Sequence, residues 1–563
     1  MESELTVEPG VAATGEQARP SRWGAFGYGA FTILWLASEA ANLGTAMFDT
    51  ASRWLMTDLS ADPLTVSLIQ VAVTLPIFLF TLPAGALADI LAPRRLLIVV
   101  ETANALATAI LAALVSLGLG TPNALLLTTF ALGVGGALSA PAWMAITPLL
   151  VPAPALAGAI AANNVGFNIS RAIGPALGGL VIARVGVAAP FWLCAMGDLC
   201  NVAALLWWRA PRKAAQSLPA ERLTSAIRTG VRHAANNRHL RATLARSLGF
   251  FPFASAYWTL LPLVARQQMT QGPQFYGVLL GALGVGALGG SLALRWMKAR
   301  FGPDLGAALG ALATALALVL FGVAGRPAIA ILACLIAGAA WTLVLTTLYV
   351  SAQVALPDWV RGRGLAILLT AIFGAMTAGS LAWGEMAALA GLSTPHFVAA
   401  AGLVIAVPLT WRWKLQTAAG LDLAPAMHWR APVVAQRIDG DRGPVRVMID
   451  YRVSAENRRA FLRWVDELGR ERKRDGAYAW GLFERPGEPG RFLETFLMES
   501  WLELMHQHDR VTKADQGVED QIRALLAQAP RISHLLAAQS SAGRGAKPRV
   551  GRRRAPLAEA SPL

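Results

Sequence analysis

The sequence predicts an all-α membrane protein of twelve transmembrane helices in two pseudo-symmetric six-helix halves, followed by a small α+β domain. Three observations predict it. Uncharged apolar runs recur between Arg22 and Lys414, Lys and Arg collect in alternate polar breaks between them, and composition changes abruptly after Lys414. Runs such as 64–88, 96–120 and 327–356 exceed the roughly 20 residues that cover a ~30 Å hydrocarbon core. A helix satisfies its own backbone hydrogen bonds, so it persists where no water is available. The 563-residue chain is 55% hydrophobic and 15% charged, where a soluble domain carries ~25% charge.

In order, the apolar runs place spans at 24–47, 64–88, 95–118, 123–149, 155–183, 187–208, 242–264, 274–297, 304–324, 327–353, 364–390 and 393–413. The even-numbered breaks hold Arg94 and Arg95; Arg295, Lys298 and Arg300; Arg361 and Arg363. The long middle break adds Arg209, Arg212, Lys213, Arg222, Arg228, Arg232, Arg238 and Arg241, whereas the odd breaks hold only Arg53, Arg184, Arg266 and Arg326. Basic residues stay on the cytoplasmic side, which puts both termini and the middle loop inside. Trp207, Trp208, Trp411 and Trp413 close the sixth and twelfth spans, where tryptophan suits the wet–dry boundary.

The expected organisation is a disordered cytoplasmic leader over 1–22, a six-helix bundle over 23–208 and a basic linker over 209–241. A second bundle follows over 242–414, then a linker over 415–443, a soluble domain over 444–538 and a disordered basic tail over 539–563. The leader is polar and lacks the features of a cleaved signal peptide. Within the middle linker, 223–240 is amphipathic and basic, and suits the anionic inner leaflet as well as a solvated connection. His233 and His239 there read as surface residues. A net charge of +15 would suit a nucleic-acid binder, but the basic residues sit in breaks and tail, so no nucleic-acid partner is expected. Cys194, Cys200 and Cys334 lie inside spans without disulfide or zinc spacing, which leaves no metal site.

The break after the second span reads Gly85-Ala-Leu-Ala-Asp89-Ile-Leu-Ala-Pro-Arg94-Arg95. A carboxylate and a guanidinium pair there bond across a helix gap in one state and separate in another. The string resembles the loop signature of the major facilitator superfamily, with Ile90 in place of a basic residue and Ala92 in place of a glycine. In the second half, the stretch from Asp358 through Arg361 and Arg363 mirrors 151–158. Repeated halves with a substrate site between them imply an alternating-access carrier. These residues would form the cytoplasmic gate; a capped turn with incidental arginines is the competing reading. In the fifth span, Ser170, Gly174, Pro175, Gly178 and Gly179 resemble the glycine–proline motif of the superfamily's drug/proton exporters. That resemblance implies export, whereas small residues at four-residue steps also make a plain packing groove.

Charged and amide side chains inside spans are costly unless paired or wet. Glu39 and Asn42 in span one, Asn164, Asn168 and Arg171 in span five, Asp198 in span six and Glu385 deep in span eleven therefore line the expected proton-coupling and substrate cavity. Glu39 is the coupling carboxylate, with Arg171 as its electrostatic partner. Helix–helix ion pairs and asparagine glue are the structural alternatives.

After the linker, residues 445–453 alternate as a strand. A helix capped by Ser454 runs to about Arg474, strands follow at 477–485 and 491–500 around a turn at 486–490, then two short helices over 501–528 and a strand at 531–537. The order βαββαβ is a ferredoxin-like sandwich. Strings such as Trp480-Gly481-Leu482-Phe483, Phe492-Leu493-Glu494-Thr495-Phe496 and Gln507-His508-Asp509-Arg510 resemble the soluble tail of the transmembrane secretion effector subgroup, which includes enterobactin-exporter-like carriers. The resemblance implies a proton-coupled exporter of small amphiphilic molecules in a bacterial-type inner membrane. The tail is also similar to dimeric α/β-barrel monooxygenases, which keeps open a membrane-anchored enzyme using His506, His508, Trp480 and Glu494. No cofactor loop or nucleophile–base pair accompanies those residues, so no cofactor is expected, and a dimerising or ligand-sensing module is favoured.

Overall fold

The computed structural model describes residues 24–209, 223–417, 442–510 and 512–538. The leader, residues 210–222 of the middle linker, residues 418–441 of the second linker and the basic tail from 539 lie outside the described residues, as do the side chains of Asp89, Arg295, Lys298, Asp358, His506 and His508. The chain divides into two compact units after residue 423.

The first unit opens on a short 3-10 turn and runs through α1 (Gly29–Leu59), α2 (Pro63–Ile90), α3 (Pro93–Ser116), α4 (Pro122–Leu150), α5 (Ala153–Val185) and α6 (Ala189–Trp207). It continues with α7 (Leu223–Asn236), α8 (Arg238–Leu263), α9 (Pro273–Gly322), α10 (Pro327–Val354), α11 (Asp358–Ala390) and α12 (Ser393–Thr410). Several helices begin on proline, whose missing N–H costs nothing at the first helical position. Side chains cap others: Asp62 accepts from Leu64 N and Thr65 N at 3.3 and 2.9 Å. Among the described residues, eleven stretches are long and apolar enough to cross a membrane: α2–α6, α8, both parts of α9, and α10–α12. Helix α1, with Glu39, Asp49, Arg53 and Asp58, is long but more polar.

Several boundaries differ from the expected ones for local reasons. Helix α1 continues past 47 to Leu59, because Arg53 is buried and satisfied by Gln70 Oε1 at 2.7 Å and the Trp258 carbonyl at 3.2 Å. No loop separates the eighth and ninth spans; α9 kinks at Gly302 (φ 70°), a left-handed conformation that glycine adopts freely, and resumes at Pro303. The amphipathic stretch 223–240 is two helices. Asn237 ends α7 and caps α8, accepting from His239 N and Leu240 N at 3.0 Å while its amide donates to the Ala355 carbonyl at 2.9 Å. His233 is buried edge-on against Trp359 at 5.4 Å, so it is no surface residue. Helix α7 packs on α11.

The two halves repeat in detail. Helices α5 and α11 each span 33 residues, start after a proline (Pro152, Pro357) and end at a positive-φ glycine, Gly186 at 112° and Gly391 at 78°. The halves meet along α2 with α11 and α5 with α9. A buried aromatic group within the second half joins Phe251, Tyr257 and Trp258 of α8 to Trp341 of α10.

The second unit holds β1 (Val445–Arg452), α13 (Arg458–Arg474), β2 (Tyr478–Glu484), β3 (Arg491–Met498), α14 (Trp501–Arg510), α15 (Lys513–Leu525) and β4 (Arg531–Leu536). Its antiparallel sheet has the order β2–β3–β1–β4. Alternate residues Val445, Val447, Ile449 and Tyr451 point inward, against Phe492 and Phe496 of β3 and Phe461, Val465 and Leu468 of α13. Residues 454–457 form a turn closed by Asn457 N to Ser454 O at 3.1 Å, so α13 starts at Arg458 and Ser454 does not cap it.

Candidate functional site

Residues 39, 42, 46, 49 and 53 share one face of α1, because steps of three and four return to the same side of a helix. The glycine–proline motif receives that face. Gly166, Ser170, Gly174 and Gly178 recur every four residues along α5 and let α1 approach. A Cβ on Gly174 would stand 2.5 Å from the Ala46 Cβ, and one on Gly178 3.2 Å from the Met47 Cα. Glu39 fills the space left by Gly166, accepts a hydrogen bond from Ser170 Oγ at 3.2 Å, and is also bonded by Asn42. Gly179 and Pro175 serve a different seam. A Cβ on Gly179 would sit 2.7 Å from the Pro273 carbonyl and 2.9 Å from the Gly277 Cα on α9. One motif thus holds α5 to its own half and to the other.

Arg171 does not pair with Glu39. Its guanidinium lies over the Phe167 ring, 5.8 Å from the centroid, and the carboxylate whose charge reaches it is Asp49. The pairing fails because Glu39 points into the α1 seam, whereas Arg171 stands on another strip of α5 beside Asn164 and Asn168. All three are exposed, and Asn168 Nδ2 donates to the Asn164 carbonyl at 2.8 Å.

Asp198 belongs to the interior of the first half. It is buried on α6 near Glu101 of α3. Ser139 Oγ donates to Glu101 at 3.5 Å, and Ser38 Oγ donates to Asn201 Oδ1 at the same distance. These groups tie α1, α3, α4 and α6 together. Glu385 lies exposed in the last two turns of α11, beside Gly384, which packs on Ser67 of α2. The helix end places it away from mid-span.

Breaks one and seven bring the two halves together at the odd end. Arg266, after α8, pairs with Asp58, donates to Thr57 Oγ1 at 3.0 Å, and lies over the Trp54 ring at 5.5 Å. Gln267 Nε2 donates to the Ala61 carbonyl at 3.3 Å. Breaks one and seven follow the first span of each half, so opposite charges in matching loops were the available signal. Further along the seam Thr74 and Thr377 hydroxyls meet at 2.8 Å.

At the even end, Arg94 donates from Nε and Nη2 to the Leu205 and Leu206 carbonyls at 2.8 and 3.1 Å, closing the C-terminus of α6. Arg246 and Asp304 do the same for α12: they pair at 3.0 Å, Arg246 Nε donates to the Trp413 carbonyl, and Asp304 accepts from Leu415 N. Arg361 reaches the Leu356 carbonyl at 3.4 Å, and Gly230 of α7 packs on the Arg363 stem. The backbone of Gly85 and Asp89 is helical in α2, and Arg95 opens α3.

In the second unit, the buried Glu494 accepts from Tyr451 Oη at 2.6 Å and Trp480 Nε1 at 2.8 Å. Arg472 lies 3.9 Å from Glu494 and pairs with Glu519 at 3.0 Å. Burial and the neighbouring Glu494 carboxylate push the Tyr451 hydroxyl well above its usual range. Against the desolvation of its burial, Glu519 and Glu494 raise Arg472. The network joins β1, β2, β3, α13 and α15 across the interior of this unit.

Residues 20–542 match the family described as transmembrane secretion effector. The multidrug efflux pump Tap of Mycolicibacterium fortuitum is 26% identical over 65% of this chain and 90% of its own length. Its namesake from Mycobacterium tuberculosis (strain ATCC 25618 / H37Rv) is 26% identical over 72% of this chain and 97% of its own. Among solved structures, the nucleoside transporter NupG aligns with a TM-score of 0.54 at 12% identity, over 68% of this chain and 98% of that one. A bacterial homologue of the iron transporter ferroportin, in an inward-facing state, aligns with a TM-score of 0.53 at 15% identity, over 68% and 98%. At such identities the structures share the fold alone.

Proposed function

The chain belongs to the transmembrane secretion effector family of major facilitator transporters, and on that premise we propose that it exports small amphiphilic molecules across a bacterial inner membrane in exchange for protons. The observation that carries this reading is a shut odd end combined with an accessible polar strip at mid-span on α5. Asn164, Asn168 and Arg171 are open while Arg266, Asp58 and Trp54 bridge the halves. With the basic even end in the cytoplasm, this is the state that loads substrate from inside. The relatives named as multidrug efflux pumps support the outward direction.

Glu39 is the coupling carboxylate in this reading. It stands in the α1–α5 seam with Ser170 and Asn42 as hydrogen-bond partners, and it gives up a proton as the halves rock. Asp89, Arg94, Arg95, Asp358, Arg361 and Arg363 gate the cytoplasmic end when it closes. Helix α1 is the first of twelve spans, wet along its polar face, and both termini are cytoplasmic. The strand order β2–β3–β1–β4 supports a ferredoxin-like sandwich, which dimerises through its open sheet face. The basic linker rests on anionic lipid.

Uptake of dansyl-labelled undecanoic acid into energised inverted vesicles tests the coupling, with counterflow of the same probe reporting exchange alone. Collapse of the pH gradient stops uphill uptake by the natural chain, and Glu39→Gln retains exchange while losing the response to the gradient. Transport unaffected by both changes removes the coupling role.

A further inference from the structure

We propose that the strip of α5 formed by Asn164, Phe167, Asn168 and Arg171 recognises an acidic group, and that the transported molecules are amphiphiles bearing a carboxylate or a similar anion. The proposal rests on the export reading and narrows it to a chemical class.

The helix has three occupied or lipid-like strips and one left over. Gly166, Ser170, Gly174 and Gly178 face α1, while Ala172, Pro175, Ala176 and Gly179 face α9. Val165, Ile169, Ile173 and Leu177 form an exposed apolar strip between these seams on the outer side. At 3.6 residues per turn, Asn164, Phe167, Asn168 and Arg171 fall between the same seams on the opposite side. Polar residues gathered there face the space between the halves, since the hydrocarbon side is already apolar.

Arg171 is the free charge of that strip. Its described contacts are the Phe167 ring and the longer-range electrostatics of Asp49 and Tyr257, none a hydrogen-bonded acceptor for its five donors. Of the nearby carboxylates, Glu39 is held by Ser170 and Asn42, and Asp49 divides its longer-range attraction between Arg53 and Arg171 without a hydrogen bond to Arg171. Arg53 differs, being buried and bonded to Gln70 and Trp258. A planar guanidinium over an aromatic ring matches a carboxylate through paired hydrogen bonds, and the ring supplies a surface for the apolar body. Asn168 Oδ1 and the Asn164 amide add adaptable polar contacts. A cationic molecule in the same place would meet the like charge of Arg171, which Asp49 offsets only at longer range and in part, sharing its attraction with Arg53.

The test uses the purified full chain in detergent and two fluorescent probes, dansyl-labelled undecanoic acid and its uncharged methyl ester. The acid is expected to bind about tenfold tighter or more. Arg171→Gln reduces the acid to the affinity of the ester and leaves the ester unchanged, while Arg171→Lys keeps part of the preference and controls for folding. Equal affinities in the natural chain, or a preference surviving Arg171→Gln, overturn the proposal. Asn168→Trp separates the two readings: it weakens both probes if the strip lines the cavity. If it leaves both unchanged, the cavity reading fails and the acidic subsite falls with it.

Discussion

Removing the Arg266 side chain opens the odd end, and the structure indicates by how much. The Arg266–Asp58 pair is partly in solvent, with side chains 36% and 41% exposed, so the ion pair itself contributes only about 0.2–1 kcal/mol. The ring of Trp54 beneath the guanidinium adds roughly 0.5–1 kcal/mol. The hydrogen bond to Thr57 adds a further contribution of about 1 kcal/mol. Arg266→Ala loses all three, about 2–3 kcal/mol, which shifts a two-state equilibrium by roughly 30- to 150-fold toward the outward-open form. Asp58→Asn loses only the ion pair and shifts it by about fivefold or less. The readout is a cysteine replacing Ser67, which is wholly buried beneath Gly384 at the α2–α11 seam, in a background without Cys194, Cys200 and Cys334. Labelling of intact cells by a membrane-impermeant maleimide accelerates strongly in Arg266→Ala and mildly in Asp58→Asn. If the two variants label alike, or neither differs from the parent, the contacts at this end do not hold the halves shut.

Three further outcomes follow from the same geometry. Gly179→Val drives a side chain into the Pro273 carbonyl and Gly277 backbone, which cannot yield, so it separates the halves and raises Ser67→Cys labelling; Gly174→Val disturbs only the α1–α5 seam and leaves labelling low. Arg472→Met strands Glu494 and Glu519 in the core of the second unit at a cost of about 3–5 kcal/mol, read as faster hydrogen exchange across β1 and β3 in the intact protein; unchanged exchange contradicts the buried network. Asp450 is held below the usual carboxylate range by hydrogen bonds from Arg491. Its folded form therefore prefers the charged state, and the stability this supplies is present above the unfolded value near ~3.9 and lost as pH falls through the lower folded value. Exchange in β1 then rises on acidification in the natural chain, and Asp450→Asn flattens that dependence.

Long uncharged runs fixed the membrane class, because only self-satisfied helices persist without water, and the spacing of arginines sorted the breaks into two ends. The period-two pattern of 445–453 and the turn at 486–490 made the strands of the second unit legible for the same local reason. Contacts between distant helices were not legible. Glu39 and Arg171 looked like partners because each is a lone charge in its span. Their rotation about α1 and α5 sends one into a glycine-lined seam and the other onto an open strip. Arg266 and Asp58 lie more than 200 residues apart and meet only because the halves close on one another. Hydropathy reports how far a side chain lies from water along one helix, while partner choice depends on how two helices are turned toward each other, which only their packing decides.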